Sequence, residues 1–355
     1  MSWDNSMLKY VALINEYKGR QELYIRQKTV ELERLVEVAR AQSTEASNRI
    51  EGIVTTNARL RKLLEDKTTP RNRDEQEIYG YRDVLNLIHE SYRDIPLNPN
   101  IILQLHRDLM KHADHSYAGN FKTTANEIVA VRADGSKELL FSPLGPVETP
   151  TAIETICENF NYVCMKEMVH PLILIPIFIL DFLCIHPFLD GNGRMSRLLT
   201  LLLLYKSGYL VGQYVSIEKA IADTKYDYYS ALDISDYWWH ENENDPCPFI
   251  KYMLGIILHC YREFEDRVNI ANESGVRSTS HDIVKKFATE HLGRFTKNDA
   301  LIACPKVGKS SVEAALKKLV EDGAIRRIGA GRATSYVIND SYEKYNLCNL
   351  LKASL

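Results

Sequence analysis

The 355 residues predict a mainly α-helical protein with two separately packed parts. Three observations carry that expectation. From about residue 16 to 66 the chain is rich in Glu, Arg, Leu and Ala and free of proline, a composition that favours helix throughout. The most apolar run, Pro171 to Leu180, is stopped by Asp181 and reads as a buried core helix; the leucine-rich stretch Ser196 to Leu204 reads as another. Short β-prone runs are confined to two places, between Gly119 and Pro150 and beyond Ala324.

Each element follows in order. Residues 1–72 form an N-terminal helical region, a long helix followed by a second at about 43–65, and Thr68-Thr69-Pro70-Arg71-Asn72 ends it. Helical periodicity resumes from Asp74 to Arg93 and from Asn98 to His112, opening a core domain over 73–266. Glu127 to Val131 and Glu138 to Phe141 flank Ala133-Asp134-Gly135-Ser136. Asp-Gly between β-prone runs is the strongest short hairpin signal, so a hairpin is placed at about 119–145. A polar linker at 267–278 leads to a second domain, 279–355. Helices near His281 to His291, Thr296 to Ile302 and Ser310 to Glu321 precede strands Ala324 to Ile328 and Ser335 to Ile338 around Gly329-Ala330-Gly331-Arg332, the order of a winged helix-turn-helix.

The chemistry concentrates in His186-Pro187-Phe188-Leu189-Asp190-Gly191-Asn192-Gly193-Arg194-Met195-Ser196-Arg197. Pro187 and Gly-Asn-Gly oppose helix, so the run is a loop feeding a helix N-terminus, where glycine-rich backbone and unpaired first-turn amides bind anions. Arg194 and Arg197, three apart and hence on one helix face, offer two guanidinium forks suited to a polyphosphate. Asp190 supplies the hard oxygen that phosphate-bound Mg2+ prefers. His186 has a reference pKa suited to taking a proton from a hydroxyl near neutral pH.

His186 to Arg197 resembles, with no position missing, the signature H-P-F-x-D-G-N-G-R-x-x-R of the Fic family. The resemblance implies a Fic fold, a helical bundle with a β-hairpin flap, and Mg2+-dependent transfer of AMP from ATP to a Ser, Thr or Tyr hydroxyl of a target protein or of the enzyme itself. Carried over, it makes His186 the general base, Asp190 the metal ligand, Gly191, Asn192 and Gly193 the phosphate cradle, and Arg194 and Arg197 the clamps on the terminal phosphates. Ser47-Asn48-Arg49-Ile50-Glu51-Gly52 resembles the family's inhibitory motif, [S/T]-x-x-x-E-[G/N]. Ser47 and Glu51 share a helix face, and Gly52 removes a side chain where that helix approaches another surface. By the resemblance Glu51 pairs with Arg197 and occupies the place of the ATP γ-phosphate. The hairpin would dock the target by strand addition; Gly119-Asn120-Phe121-Lys122 departs from the Gly-x-Tyr-Arg of many members. Tyr229, or its neighbour Tyr228, stands where relatives place a tyrosine against the nucleoside. His106 reads as a core or interface histidine.

Two other readings stay open at this point. The chain could transfer another phosphate-containing group or remove AMP, with Glu51 positioning water. It could also be a DNA-binding regulator whose core only senses nucleotide, although an intact His186 argues against pure sensing. Between Val276 and Ile338 twelve basic residues stand against six acidic ones in a chain of net charge −3, which suits DNA or an acidic protein partner. Val307-Gly308-Lys309-Ser310 is not a Walker loop, since Ala303 stands where a glycine is needed. Seven cysteines, odd in number and without a C-x-x-C pair, read as buried thiols rather than disulfides or a zinc site. With no export signal at Met1-Ser2-Trp3 and no apolar run near the roughly 20 residues of a membrane helix, a cytoplasmic protein without membrane contact is expected. A homodimer is compatible with the sequence, which fixes no oligomeric state.

Overall fold

The computed structural model describes residues 5–27, 29–113, 115–131, 137–273, 279–291, 294–305, 307–331 and 334–339. Three helices, not two, occupy the N-terminal region: α1 (Asn5–Gln27), α2 (Thr29–Ile50) and α3 (Asn57–Leu64). The helix expected at about 43–65 is interrupted after Ile50 by a Schellman-type ending. Gly52 takes φ +81°, its N–H donates to Arg49 O, and the Ile53 N–H donates to Asn48 O. Glu51 is thus the cap residue where α2 ends, and not a mid-helix position. Gly52 serves that left-handed turn; a Cβ there would meet nothing within 4 Å, so close approach is not its role.

The described core continues with α4 (Arg73–Ser91) and α5 (Pro99–Met110), capped by the side chains of Asn72 and Asn98. Gly80 lets these two helices touch, because a Cβ there would collide with the Leu109 carbonyl oxygen. The hairpin pairs β1 (Ile128–Val131) with β2 (Lys137–Phe141) in antiparallel register, Val131 opposite Lys137; its expected Asp134-Gly135 turn lies outside the described residues. Then come α6 (Thr149–Met165), α7 (Pro171–Ile185), α8 (Asn192–Lys206), α9 (Ile217–Asp223), α10 (Lys225–Asp236) and α11 (Cys247–Glu273). The leucines and isoleucines of α7 and α8 are buried on nearly all sides, making this pair the centre of the core. The apolarity of α7 reflects that position; no described helix is long and apolar enough to cross a membrane.

The chain divides into two compact units, Met1–Phe264 and Glu265–Leu355. Part of the expected linker is helical, since α11 runs through Glu273. The second unit contains α12 (Ser280–Glu290), β3 (Phe295–Thr296), α13 (Lys297–Ala303), α14 (Lys309–Glu321), β4 (Ile325–Ile328) and β5 (Ser335–Ile338), with sheet order β3-β5-β4. Val284, Phe295, Val312, Leu316, Leu319 and Ile325 form its own core. The two-residue β3 was not expected from the sequence. Thr279 with Asp282, and Thr296 with Asp299, make capping boxes that start α12 and α13.

Burial of imidazoles in the first unit has a measurable consequence. Desolvation pushes His89 down to about 3 and both His106 and His186 down to about 4. A histidine whose folded pKa lies below its unfolded value takes up fewer protons folded than unfolded as pH falls below about 6.5. Its contribution is therefore lost on acidification. The melting temperature of the first unit is expected to fall steadily between pH 7 and pH 4.5, and a constant melting temperature over that range would contradict the buried neutral state.

Candidate active site

The site begins where α7 ends. The His186 N–H donates to Phe182 O, closing the helix, and His186 itself adopts φ +51°, ψ 61°, a conformation uncommon for a non-glycine residue. Nδ1 lies 3.2 Å from the Leu183 carbonyl. A carbonyl can only accept, so Nδ1 carries the proton and the Nε2 lone pair is left free. Burial, opposed by the Leu183 hydrogen bond and reinforced by Lys122, holds the imidazole at about 4, hence neutral at pH 7.

The loop after His186 is shorter than its glycines suggested. α8 starts at Asn192, so Gly193 lies inside the first helical turn, and the amides of Asn192, Gly193 and Arg194 are donors that no helical carbonyl reaches. No side chain caps this end. Gly191 sits at φ +83°, a left-handed conformation that favours glycine, packed against Met110 and His106. The Asn192 side chain is occupied within the loop: Oδ1 accepts from the Phe188 N–H at 2.9 Å and Nδ2 donates to Phe188 O at 2.8 Å. Its expected phosphate contact is thereby confined to the backbone. His106 is buried as expected, and it braces the same loop. It accepts from the Gly119 N–H through Nδ1, donates from Nε2 to Asp190 O at 3.0 Å, and stacks on Phe188 with ring centroids 3.7 Å apart.

The two arginines have separate acidic partners. Arg194 is 1% exposed, with Nη1 2.7 Å from Glu77 Oε2 on α4. Its three guanidinium nitrogens make no aligned hydrogen bond. Its charge is balanced while its donors remain unmet. Arg197 donates through Nε to Ser47 Oγ at 2.7 Å, and through Nη2 to Ser47 O at 3.0 Å and Glu51 Oε1 at 2.7 Å. Glu51 also lies directly against Gly193, where any Cβ would collide with its Oε1. The close approach assigned from sequence to Gly52 is therefore made at Gly193. A carboxylate rests at the helix N-terminus, the place for an anion.

Several contacts fix the helix that ends in Glu51. Lys225 Nζ donates to Ile50 O at 2.7 Å, which caps the carbonyl end of α2. Upstream on α2, Ser43 donates to the buried Glu218 of α9 at 2.6 Å, and Tyr81 of α4 donates to the same carboxylate at 3.0 Å. Tyr229 is 43% exposed beside Lys225, whose Nζ is 5.7 Å from the ring centroid; burial and then the Glu51 charge raise its hydroxyl pKa. Tyr228 is buried against Phe249 and Tyr252, a packing role.

Asp190 Oδ1 accepts from the Gly191 N–H at 2.6 Å, and Oδ2 lies 3.3 Å from Arg73 Nη2. Its side chain is 41% exposed. Among the described residues no cluster of three His, Cys, Asp or Glu could hold a metal by itself. A single half-exposed carboxylate fits magnesium that shares its coordination with nucleotide phosphates and water. Sequence reasoning missed Glu77, Arg73 and Asn126, each distant along the chain and lying in a helix or loop without a distinctive local pattern, and it noted Lys122 only as a departure from Gly-x-Tyr-Arg.

Known proteins resemble the chain in sequence and in fold. Residues 96–204 match the Fic/DOC family. The chain is 28% identical over 211 residues to "Protein adenylyltransferase Fic" of Drosophila grimshawi, covering 58% of this chain and 38% of that protein. It is 25% identical over 230 residues to the protein of the same name from Nematostella vectensis, covering 62% and 48%. The matched stretch thus spans less than half the length of either relative. Among solved structures, a Fic family protein from Desulfovibrio desulfuricans G20 superposes with TM-score 0.62 at 22% identity, over 96% of this chain and 98% of that one. A Fic domain containing signaling protein from Bacteroides thetaiotaomicron superposes with TM-score 0.58 at 22% identity, over 73% and 96%. Residues 96–204 are therefore similar in sequence to the Fic/DOC family, and the chain shares the fold of solved Fic family proteins.

Proposed function

We propose that the chain is a protein adenylyltransferase restrained by its own Glu51. The observation that carries this reading is a neutral histidine with a free Nε2 beside a helix N-terminus that gathers unpaired amides and the unmet donors of Arg194. Such a site suits an acceptor hydroxyl and a polyphosphate at once. His186 Nε2 takes the hydroxyl proton, the oxygen bonds to the ATP α-phosphorus, and the bond to the bridging oxygen breaks, releasing pyrophosphate. The amides of α8 and Arg194 hold the departing phosphates, Arg197 would reach the γ-phosphate once Glu51 leaves it, and Tyr229 offers a face to the adenosine. Magnesium, when bound at Asp190, neutralises phosphate charge. The hairpin presents Leu139 and Leu140, both exposed, on the strand that would receive a target segment by backbone pairing.

The test is incubation with ATP labelled at the α- or the γ-phosphate. Self-modification labelled only from the α-position supports AMP transfer, and labelling from the γ-position would replace it with phosphoryl transfer. Asp190→Ala is expected to lower the rate and flatten its magnesium dependence, because the neighbouring acids are engaged elsewhere: Glu77 with Arg194 and Arg73, and Glu51 with Arg197. A magnesium titration identical to that of the parent would remove Asp190 from the site.

We read the second unit as a winged helix. Its helix and strand order and its three-stranded antiparallel sheet support that reading, with α14 in the recognition position. Lys309, Lys317 and Lys318 on α14, with Arg326 and Arg327 on β4, are exposed and would face DNA or an acidic partner. Glu313 tempers that charge through its pair with Lys297.

A further inference from the structure

Four consecutive backbone carbonyls, those of residues 185 to 188, are each met by a short segment at the foot of the hairpin. Lys122 Nζ donates to Ile185 O at 2.9 Å, and the Lys122 N–H donates to Pro187 O at 2.8 Å. Asn126 Nδ2 donates to His186 O at 3.3 Å and to Phe188 O at 3.0 Å. The two side chains also brace each other, Lys122 Nζ donating to Asn126 Oδ1 at 2.9 Å.

This arrangement answers a local problem of the chain. α7 ends with the His186 N–H on Phe182 O, Asn192 holds only Phe188, Pro187 has no N–H, and His186 sits in the left-handed region, so the loop itself leaves the stretch between Ile185 and Pro187 weakly held. The hold must come from outside. Lys122 is only 2% exposed, and desolvation lowers its pKa to about 8, with Glu148 opposing that shift. A buried ammonium whose hydrogen bonds go to neutral oxygens is a costly way to fill space. An apolar side chain of similar length would pack there at lower cost, so the donor itself is what the site uses.

We infer that Lys122 and Asn126 are positioning residues for His186, holding the 185–188 backbone so that Nδ1 stays on Leu183 and Nε2 faces the acceptor hydroxyl. They act through the base and touch no substrate. Because β1 starts at Ile128, two residues after Asn126, the same clamp ties the hairpin that would receive the target to the base. The kinetic part of this inference rests on the proposed adenylyltransferase activity, and the structural part does not.

The test uses the full chain carrying Glu51→Gly, with Lys122→Met, Lys122→Arg or Asn126→Asp added. Lys122→Met is expected to lower kcat for self-modification roughly 10- to 100-fold, the scale of a reacting group displaced by about 1 Å, with KM for ATP unchanged within about twofold. Lys122→Arg, which keeps a cationic donor, should recover most of the rate. NMR of 15N-histidine-labelled chain, with His186→Gln to assign the signal, should show His186 protonated only on Nδ1 in the parent and a tautomer mixture in Lys122→Met. Loss of rate without a change in the His186 signal, or a changed signal at full rate, would overturn the inference. If Lys122→Met does not fold, Asn126→Asp replaces it, with the same two readouts deciding. If the Glu51→Gly parent transfers no AMP, the functional reading fails, and the NMR signal alone decides whether Lys122 and Asn126 position His186.

Discussion

Glu51→Gly is expected to raise self-modification by AMP about 5- to 150-fold over the parent, the span of a coupling of roughly 1–3 kcal/mol between a restrained and a competent arrangement. Glu51 both neutralises Arg197 at 2.7 Å and lies on Gly193 at the start of α8. Removing it frees a guanidinium that is 3% exposed and opens the first-turn amides together. A buried cation left without its carboxylate seeks another anion, and under the proposed function the terminal phosphate of ATP would supply it. Adding Arg197→Ala should cancel the gain, since both changes act on one ion pair and cannot be additive. Initial rates for the parent, the two single variants and the double variant decide the matter. A Glu51→Gly chain no faster than the parent would remove the inhibitory reading and leave the catalytic one standing.

His186→Ala is expected to reduce AMP transfer in the Glu51→Gly chain by roughly 10²–10⁴, the usual contribution of a positioned general base. ATP binding should survive, because the proposed phosphate donors belong to α8 and to Arg194 and not to the imidazole. Calorimetric titration with ATP alongside the rate separates the two effects. The pH profile adds a second check. With its pKa held at about 4, His186 already has its lone pair free through the neutral range, so the rate should stay flat between about pH 5.5 and 7. A rise centred near the ordinary imidazole value would show that the side chain is not desolvated during turnover.

The twelve-residue run His186 to Arg197 could be interpreted without coordinates because it brings a base, an acid, glycines and arginines together on one loop and helix start, and short-range geometry follows from spacing. The hairpin strands and the order of elements in the second unit were legible for the same reason, each resting on local turn and capping chemistry. The break after Ile50 was less legible. Only Gly52 marked it, and a glycine can serve a left-handed turn or a close approach equally well until its surroundings are known. The expected shared helix face of Arg194 and Arg197 described their spacing correctly; Glu51 as the partner of Arg197 was expected from the motif resemblance, whereas Glu77 as the partner of Arg194 was not.

Residue identity and local spacing thus determined the mainly helical fold class and singled out the place and the base of the proposed site, since these depend on what neighbouring residues do to one another. Tertiary structure alone decided which groups act on them. Lys122 holds Ile185 from 63 positions away, and Glu77 faces Arg194 across two packed helices. Such pairings carry no periodic or motif signal, because each forms only after apolar burial of α7 and α8 has brought distant segments together. The free-lone-pair tautomer of His186 and its low pKa belong to the same class, being consequences of a carbonyl and of desolvation that exist only in the packed chain.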